Sequence, residues 1–585
     1  VYTALRRISH PELLYPFGGI LVSLWLILLL RDIRRKKVYL EATFPDLIAV
    51  VLLILVVFTI LHLTHFTDIN FFKTGFKVRN IYLNETVFHL GIINVLKETF
   101  PPFYPYASGI PFSHYHVSMH LQMEMFYRLF ALDTVKLTFF YFPFLYFCLL
   151  VFIPYAYICK NLNLRTLGVA TGILLFGSGL SFIPGLLGMA PPNYPWTALF
   201  RSTIWSLFTL NSILPAILVM FLCVVCLKSY YENRNLSSLF ILALLGFSAY
   251  SFKSSMGPHV MAALFATGLA SLVIERDMKR CLLLCGVSGL SVLAMVVDLT
   301  LIRGGSPSNY IITIDLLNTF HRSMEKIGTS TLPWIFLVLI FPLYIMVSFG
   351  VRALGFYVTK DAFKKKFFDP VIVFLLVFTV VGFILPDIIF IGFPQSKIGT
   401  LNNAGWFGAQ ALMGSWLLLA FFLARYRYTG KKFFAVLIVV VLVSAPSTVQ
   451  FLNLRYDASY YTVDQDALEV VKFLENTDPE SVILHPPNLD GPSLASNLAG
   501  RQTVISFFQS YVVQVIGQEE ADRRYKDVKL YFDPNETIGR EAILKKYSVD
   551  YVYVPQSQVS VLDKDPLLFP VLRNSTYIVY KVKQE

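Results

Sequence analysis

Glu85 and His89 stand four residues apart in the stretch NETVFHL. On a helix that spacing puts both side chains on one face. A carboxylate with an imidazole beside it can act as a general base or ligate a metal. The competing reading is structural: Asn84 is a good N-cap, and Glu85 then only opens a capped surface helix. His114 and His116, in PFSHYHV, share a face if the backbone there is extended. They could bind a metal ion, a phosphate or a sugar hydroxyl, or pack beside Tyr115 as interfacial residues. His120 and Glu124 follow closely. The segment holds neither HExxH nor DxD, so nothing in it singles out a metal.

These residues lie in the one long polar and aromatic segment of the first half of the chain, about 64–133. The rest of that half is apolar. The 585-residue chain is 56% hydrophobic, with a mean hydropathy of +0.61. Charged residues are only 15%, against roughly 25% in soluble proteins. Repeated apolar runs of about 18 residues or more predict transmembrane helices. The pattern predicts twelve, at about 15–31, 46–63, 134–158, 166–188, 211–228, 236–251, 258–274, 281–302, 333–351, 370–391, 406–424 and 433–449. Tracing them alternately puts RDIRRKK, ERDMKR, Lys364 to Lys366 and RYRYTGKK on one side, as the positive-inside rule requires. The net charge of +12 therefore reads as topology rather than as a nucleic-acid face.

The same tracing puts the 64–133 segment outside the cytoplasm. Lys253, His259, Arg303 and Lys397 fall on that outer side, where cations could hold a lipid phosphate or be ordinary interface charge. Asp298 and Asp387 fall near the outer ends of spans, where a buried carboxylate is costly and often functional.

From residue 451 both signs of charge appear and amphipathic patterns replace solid apolar runs. DALEVVKFLENT predicts a helix turning Leu468, Val471 and Phe473 toward a core. SVILHPP, VDYVYVP and TYIVYKV predict strands, and GQEEADRRYKDVKLYF and GREAILKKYSV predict helices. The expected organisation is a transmembrane region over 1–450 followed by an extracytoplasmic α/β domain over 451–585. All six cysteines fall in or beside predicted spans, so neither a disulfide framework nor a structural zinc site is expected. The chain opens on Val1 with no signal-peptide pattern before residue 14, which leaves room for helices upstream. No Walker A, dinucleotide-binding or nucleophile-elbow motif appears in a supporting context.

The stretch from Glu85 to Leu132 resembles the first large periplasmic loop of bacterial GT-C-type integral-membrane glycosyltransferases. That loop carries an acidic residue followed by Phe-His, a Pro-Pro turn, and a Tyr-His pair entering a helix. Here these are Glu85, Phe88 and His89, Pro101 and Pro102, and Tyr115 and His116. The family's acidic residue is usually Asp. The C-terminal DALEVVKFLENTDPESVILHPPN, LAGRQTV and AILKKYSVDYVYV are similar to the family's periplasmic domain. The resemblance implies a GT-C-like fold and transfer of a sugar from a polyprenyl-phosphate carrier to an envelope glycan, lipid or protein acceptor on the outer face. It implies Glu85 as base on the acceptor, or as ligand of a divalent metal (Mg or Mn). His89 and His116 would orient groups or contact phosphate, and His114, Lys253, His259, Arg303 and Lys397 would bind the lipid phosphate. Two other classes fit the composition: a non-catalytic GT-C-like scaffold subunit of a membrane complex, and a transporter or flippase. A transporter would show repeated halves and midplane polar breaks, and no repeat is evident.

Overall fold

A computed structural model describes residues 44–62, 70–72, 75–79, 83–100, 102–112, 117–189, 212–298, 311–326, 334–364, 368–392, 404–425, 431–456, 460–486, 493–506, 509–535, 539–563 and 565–583. Among them, eight helices are long and apolar enough to cross a membrane: Thr134–Leu162, Ile213–Asn233, Met256–Glu275, Met278–Val297, Leu339–Val358, Pro370–Asp387, Gly405–Arg425 and Lys431–Leu454. Two shorter apolar helices, Pro45–Leu61 and Leu236–Phe252, accompany them. The protein is an integral membrane protein with a mostly helical body. The first expected span, about 15–31, lies outside the described residues.

The expected fourth span is not one helix. Arg165–Leu174 ends early, and a short helix, Phe182–Leu186, follows. LFGSGLS between them is apolar enough to read as membrane, but its glycines admit a close approach that a continuous helix would forbid. A Cβ on Gly179 would lie 2.3 Å from Val347 O and 2.5 Å from Ser348 O. The freed backbone groups are taken up across the bundle, as membrane depth demands. Ser178 N–H donates to Ser444 O (2.9 Å), and Leu180 N–H to Val347 O (2.7 Å).

Three sheets accompany the helices. Strands β1 (Asn70–Phe72) and β2 (Gly75–Arg79) form a hairpin. Strands β3 (Ile311–Ile314) and β4 (Ile389–Gly392) form an antiparallel ribbon. Strand β5 (Tyr460–Val463) adds to the hairpin by pairing antiparallel with β2, Phe76 opposite Val463. The C-terminal sheet contains β6 (Val482–Leu484), β7 (Gln502–Thr503), β8 (Val549–Pro555), β9 (Leu568–Arg573) and β10 (Tyr577–Val582), in the order β7-β6-β8-β10-β9. β6 runs parallel to both neighbours, and β10 antiparallel to β8 and β9. Helices Gln465–Glu475, Gln518–Tyr531 and Arg540–Lys546 complete this region. The buried stripe of the first is Ala467, Val470, Val471 and Leu474, the i, i+3, i+4, i+7 pattern of one helix face. Val471 is buried as expected, whereas Leu468 and Phe473 flank the stripe and are only partly buried.

The helix that carries Glu85, Leu83–Glu98, is packed on nearly every side. Ile93 joins the membrane core. Phe88, Ile92 and Leu96 share a core with Val482, Val552 and Ile578 of the C-terminal sheet. Val87 and Leu90 share another with Val463, Val470 and Leu474. A helix buried all round cannot be read by a single apolar stripe.

Candidate functional site

Helix Leu83–Glu98 places Glu85 and His89 on one face, as their spacing predicts. His89 Nε2 lies 4.0 Å from Glu85 Oε1, with the Glu85 side chain still 20% exposed. His89 Nδ1 is hydrogen-bonded to His120 Nε2 at 2.8 Å. His120 comes from helix Ser118–Phe130, whose buried face is Met119, His120, Leu121, Met123 and Glu124. The protonation pattern that suits all three groups keeps an N–H on His89 Nε2 toward the carboxylate. His89 Nδ1 then accepts from His120 Nε2–H.

Burial pushes the His89 imidazole well below its ordinary range, helped by His120 and Lys253. Burial also pushes His120 down to about 3. Both rings are therefore neutral at physiological pH. Such a pair can serve as an uncharged support beside Glu85.

The helix backbone is fixed from the C-terminal side. Asn497 Nδ2 donates to Val87 O and to Tyr106 Oη, each at 3.0 Å. Tyr106 Oη–H donates to Phe88 O (2.8 Å), and Asn94 Nδ2 to Asn497 O (2.9 Å). Gly91 permits this closeness: a Cβ there would stand 2.2 Å from Tyr106 Oη.

Lys253 arrives from a different span, at the C-terminal end of helix Leu236–Phe252. It is 8% exposed. Its ammonium lies 4.1 Å from the centre of the Trp406 ring and, among the described residues, makes no hydrogen bond or ion pair. Burial pulls it down to about 8, with Glu85 the charge that works against that shift. Trp406 opens helix Gly405–Arg425. A buried ammonium with its donors uncommitted among the described residues is suited to receive an anion.

His259 does not join this cluster. Its Nδ1 meets Gln410 Oε1 (3.4 Å), its Nε2 meets Phe378 O, and its ring stacks on Phe378. Gln410 in turn donates to Ser255 Oγ at 2.8 Å. His259 thus ties helices together inside the bundle. Glu124 is engaged by Arg128 one turn on, and Asp387 accepts from Phe320 N–H at the start of helix Asn318–Lys326 (2.9 Å). His114, His116, Arg303 and Lys397 lie outside the described residues.

Sequence reasoning singled out Glu85, His89 and Lys253, and the structure brings them together. It named His120 only as a neighbour and missed Trp406. A histidine 31 residues from its partner carries no periodic signal. A tryptophan at a span end reads like any interfacial anchor. Among the described residues no group of three or more His, Cys, Asp and Glu is placed to hold a metal ion. The facing nitrogens of His89 and His120 are spent on each other, and a lysine ammonium stands by. This donor set does not suit a divalent cation.

No family model matches the chain, and no curated protein matches it in sequence. Solved structures do match in shape. The apo oligosaccharyltransferase of Archaeoglobus fulgidus superposes with a TM-score of 0.52 at 12% identity, over 88% of this chain and 70% of that one. The AglB oligosaccharyltransferase of the same organism, in complex with an inhibitory peptide and a dolichol-phosphate, gives 0.48 at 14% identity, over 88% and 70%. ArnT of Cupriavidus metallidurans, bound to undecaprenyl phosphate, gives 0.44 at 11% identity, over 92% and 97%. The fold of this chain is GT-C-like: a polytopic helical body with a C-terminal region of mixed helix and sheet.

Proposed function

We propose that this protein is a membrane glycosyltransferase that moves a sugar from a polyprenyl-phosphate carrier to an envelope acceptor on the extracytoplasmic face of a bacterial inner membrane. The support for the reading is that Glu85 and the buried Lys253 lie within range of each other's charge. They are a carboxylate and a buried cation from distant parts of the chain, in a fold like that of an oligosaccharyltransferase. In this reading residues 1–450 hold the lipid carrier and residues 451–585 form an extracytoplasmic domain that braces the helix of Glu85.

Glu85 takes the proton of the acceptor hydroxyl as that oxygen attacks the anomeric carbon. The bond from the anomeric carbon to the carrier phosphate breaks, and the phosphate leaves with the electron pair. Lys253 meets the charge that grows on the leaving oxygen, and Trp406 holds the ammonium without consuming its hydrogens. His89, backed by His120, orients the carboxylate.

The test is transfer of label from polyprenyl-phosphate sugars by the purified protein, beside Glu85→Gln, with and without divalent metal. Activity lost in the variant, with an unchanged unfolding midpoint, supports the reading. Transfer that survives Glu85→Gln removes Glu85 as base. Absence of transfer across a broad donor panel, with stable co-purification of a partner, favours a scaffold subunit of a membrane complex.

A further inference from the structure

Away from the outer cluster, the broken span encloses a second polar centre. Helix Trp334–Phe349 ends beside the break, and a 3-10 helix, Gly350–Val358, continues it after Gly350 turns at φ +56°. Arg352 sits in this second piece and is fully buried. Its Nε donates to Phe349 O (2.9 Å) and its Nη2 to Ser348 O (2.7 Å). Its guanidinium lies 5.0 Å from the centre of the Trp416 ring.

On the elements that meet here, four buried polar atoms have no hydrogen-bond partner among the described residues: Arg352 Nη1, Trp416 Nε1, Ser348 Oγ and Ser444 Oγ. Residues 178–180 meet the backbone of Ser444 and of Val347 and Ser348. Ser178 N–H reaches Ser444 O, Leu180 N–H reaches Val347 O, and Gly179 lies against Ser348 O. The set is made of donors. A guanidinium and an indole N–H cannot accept, and the two hydroxyls can donate. Among the described residues no carboxylate pairs with Arg352. The carbonyl end of helix Trp334–Phe349 offsets part of the charge, on the order of half a unit. The remainder faces a low-dielectric interior, where an uncompensated charge is costly and marks a site.

We propose that the break in the span is a binding site for a small inorganic anion of chloride size, held by Arg352 Nη1, Trp416 Nε1 and the hydroxyls of Ser348 and Ser444. The enclosure of all four groups limits the ligand to a small one. The guanidinium rules out a cation. The anion neutralises Arg352 and joins the broken span to the ends of two others. This site stands apart from Glu85, and its existence does not depend on the transfer reaction.

The experiment is thermal unfolding of the purified full-length chain in detergent. Chloride is titrated against gluconate at constant ionic strength. Wild type is expected to show a saturable rise in its unfolding midpoint, as for any ligand bound only by the folded state. Trp416→Phe keeps the ring and removes one donor, and should weaken the apparent chloride affinity about tenfold. Ser348→Ala with Ser444→Ala should do the same. Arg352→Met, if it folds, should abolish the response. An equal midpoint in chloride and gluconate would show that the donors meet only water, and would overturn the site. So would a response unchanged in both the Trp416 and the serine variants, or a shift that appears only with phosphatidylglycerol in nanodiscs.

Discussion

Two buried cations lie over tryptophans of the same helix, Gly405–Arg425, and they are held in opposite ways. Lys253 meets the face of Trp406 at the outer end and gives no hydrogen bond to any described residue. Arg352 meets Trp416 deeper in the bundle and is fixed by two backbone carbonyls at the end of a helix. A ring face balances charge but leaves every ammonium hydrogen available. Carbonyls that accept from a planar guanidinium fork fix its direction. The first arrangement suits a cation that must engage and release a ligand in each turnover. The second suits a permanent charge that organises its surroundings. The lesson is that a buried cation declares its role by what holds it, more than by its depth.

That contrast can be broken by exchange of roles. The largest expected effect is at Lys253. Lys253→Ala should lower kcat/KM for a carrier-linked donor by about 10²–10³, with no loss in unfolding midpoint, because the variant removes a buried charge. A falling midpoint with unaltered turnover would make Lys253 structural. Arg352→Ala should do the reverse. Two buried carbonyls lose their donor, so stability should fall by about 2 kcal/mol, while turnover of the folded fraction stays within about twofold.

The histidine pair gives a smaller effect with a defined sign. Both folded imidazoles titrate below the unfolded value near 6.5. The unfolded chain therefore binds more protons as pH falls. Their contribution is fully present above about pH 6.5 and is lost below it, by about 1.4 kcal/mol per pH unit for each histidine. Denaturation followed from pH 7 to pH 5 should show that slope reduced in His120→Phe by one histidine's share, with the buried His485, pushed down to about 4, still contributing in the variant. For Lys253 the same linkage runs in the alkaline range. The folded group titrates at about 8 and the unfolded one at 10.5, so Lys253 adds a rise in stability between those values that Lys253→Met should lack. The smallest effect is Trp406→Leu, which should raise KM for the donor about five- to tenfold with kcat little changed. A larger change in kcat would mean that the ring touches the reacting sugar.

The spans were legible because membrane depth demands apolar runs, and Glu85 with His89 because four residues is a helical repeat. Lys253 was legible only as a cation on the right side of the membrane. Its meeting with Glu85 depends on how spans pack, which no local pattern records. The break at 175–181 was invisible for a similar reason: apolar and small residues satisfy a span by composition, and only the neighbouring Val347 and Ser444 carbonyls reveal that the helix stops. The C-terminal helices and strands were readable by period. Strand β9 was not, since LFPVLR leaves its proline and two other side chains largely exposed. The pairing of β2 with β5 joins segments on either side of the whole helical body and leaves no trace in either sequence.

That pairing has a consequence for biosynthesis. Asn497, which fixes the helix of Glu85 through Val87 O, is made 410 residues after Val87. At about 5–20 residues per second, the outer segment waits roughly 20–80 s for its partner. Throughout that interval the β1–β2 hairpin presents an open edge, and Phe88, Ile92 and Leu96 lack their partners in the C-terminal sheet. The helix that carries Glu85 is among the first parts to be made and among the last to be completed. A ribosome that stalls in the final spans would therefore leave the helix of Glu85 without the strand and the asparagine that brace it.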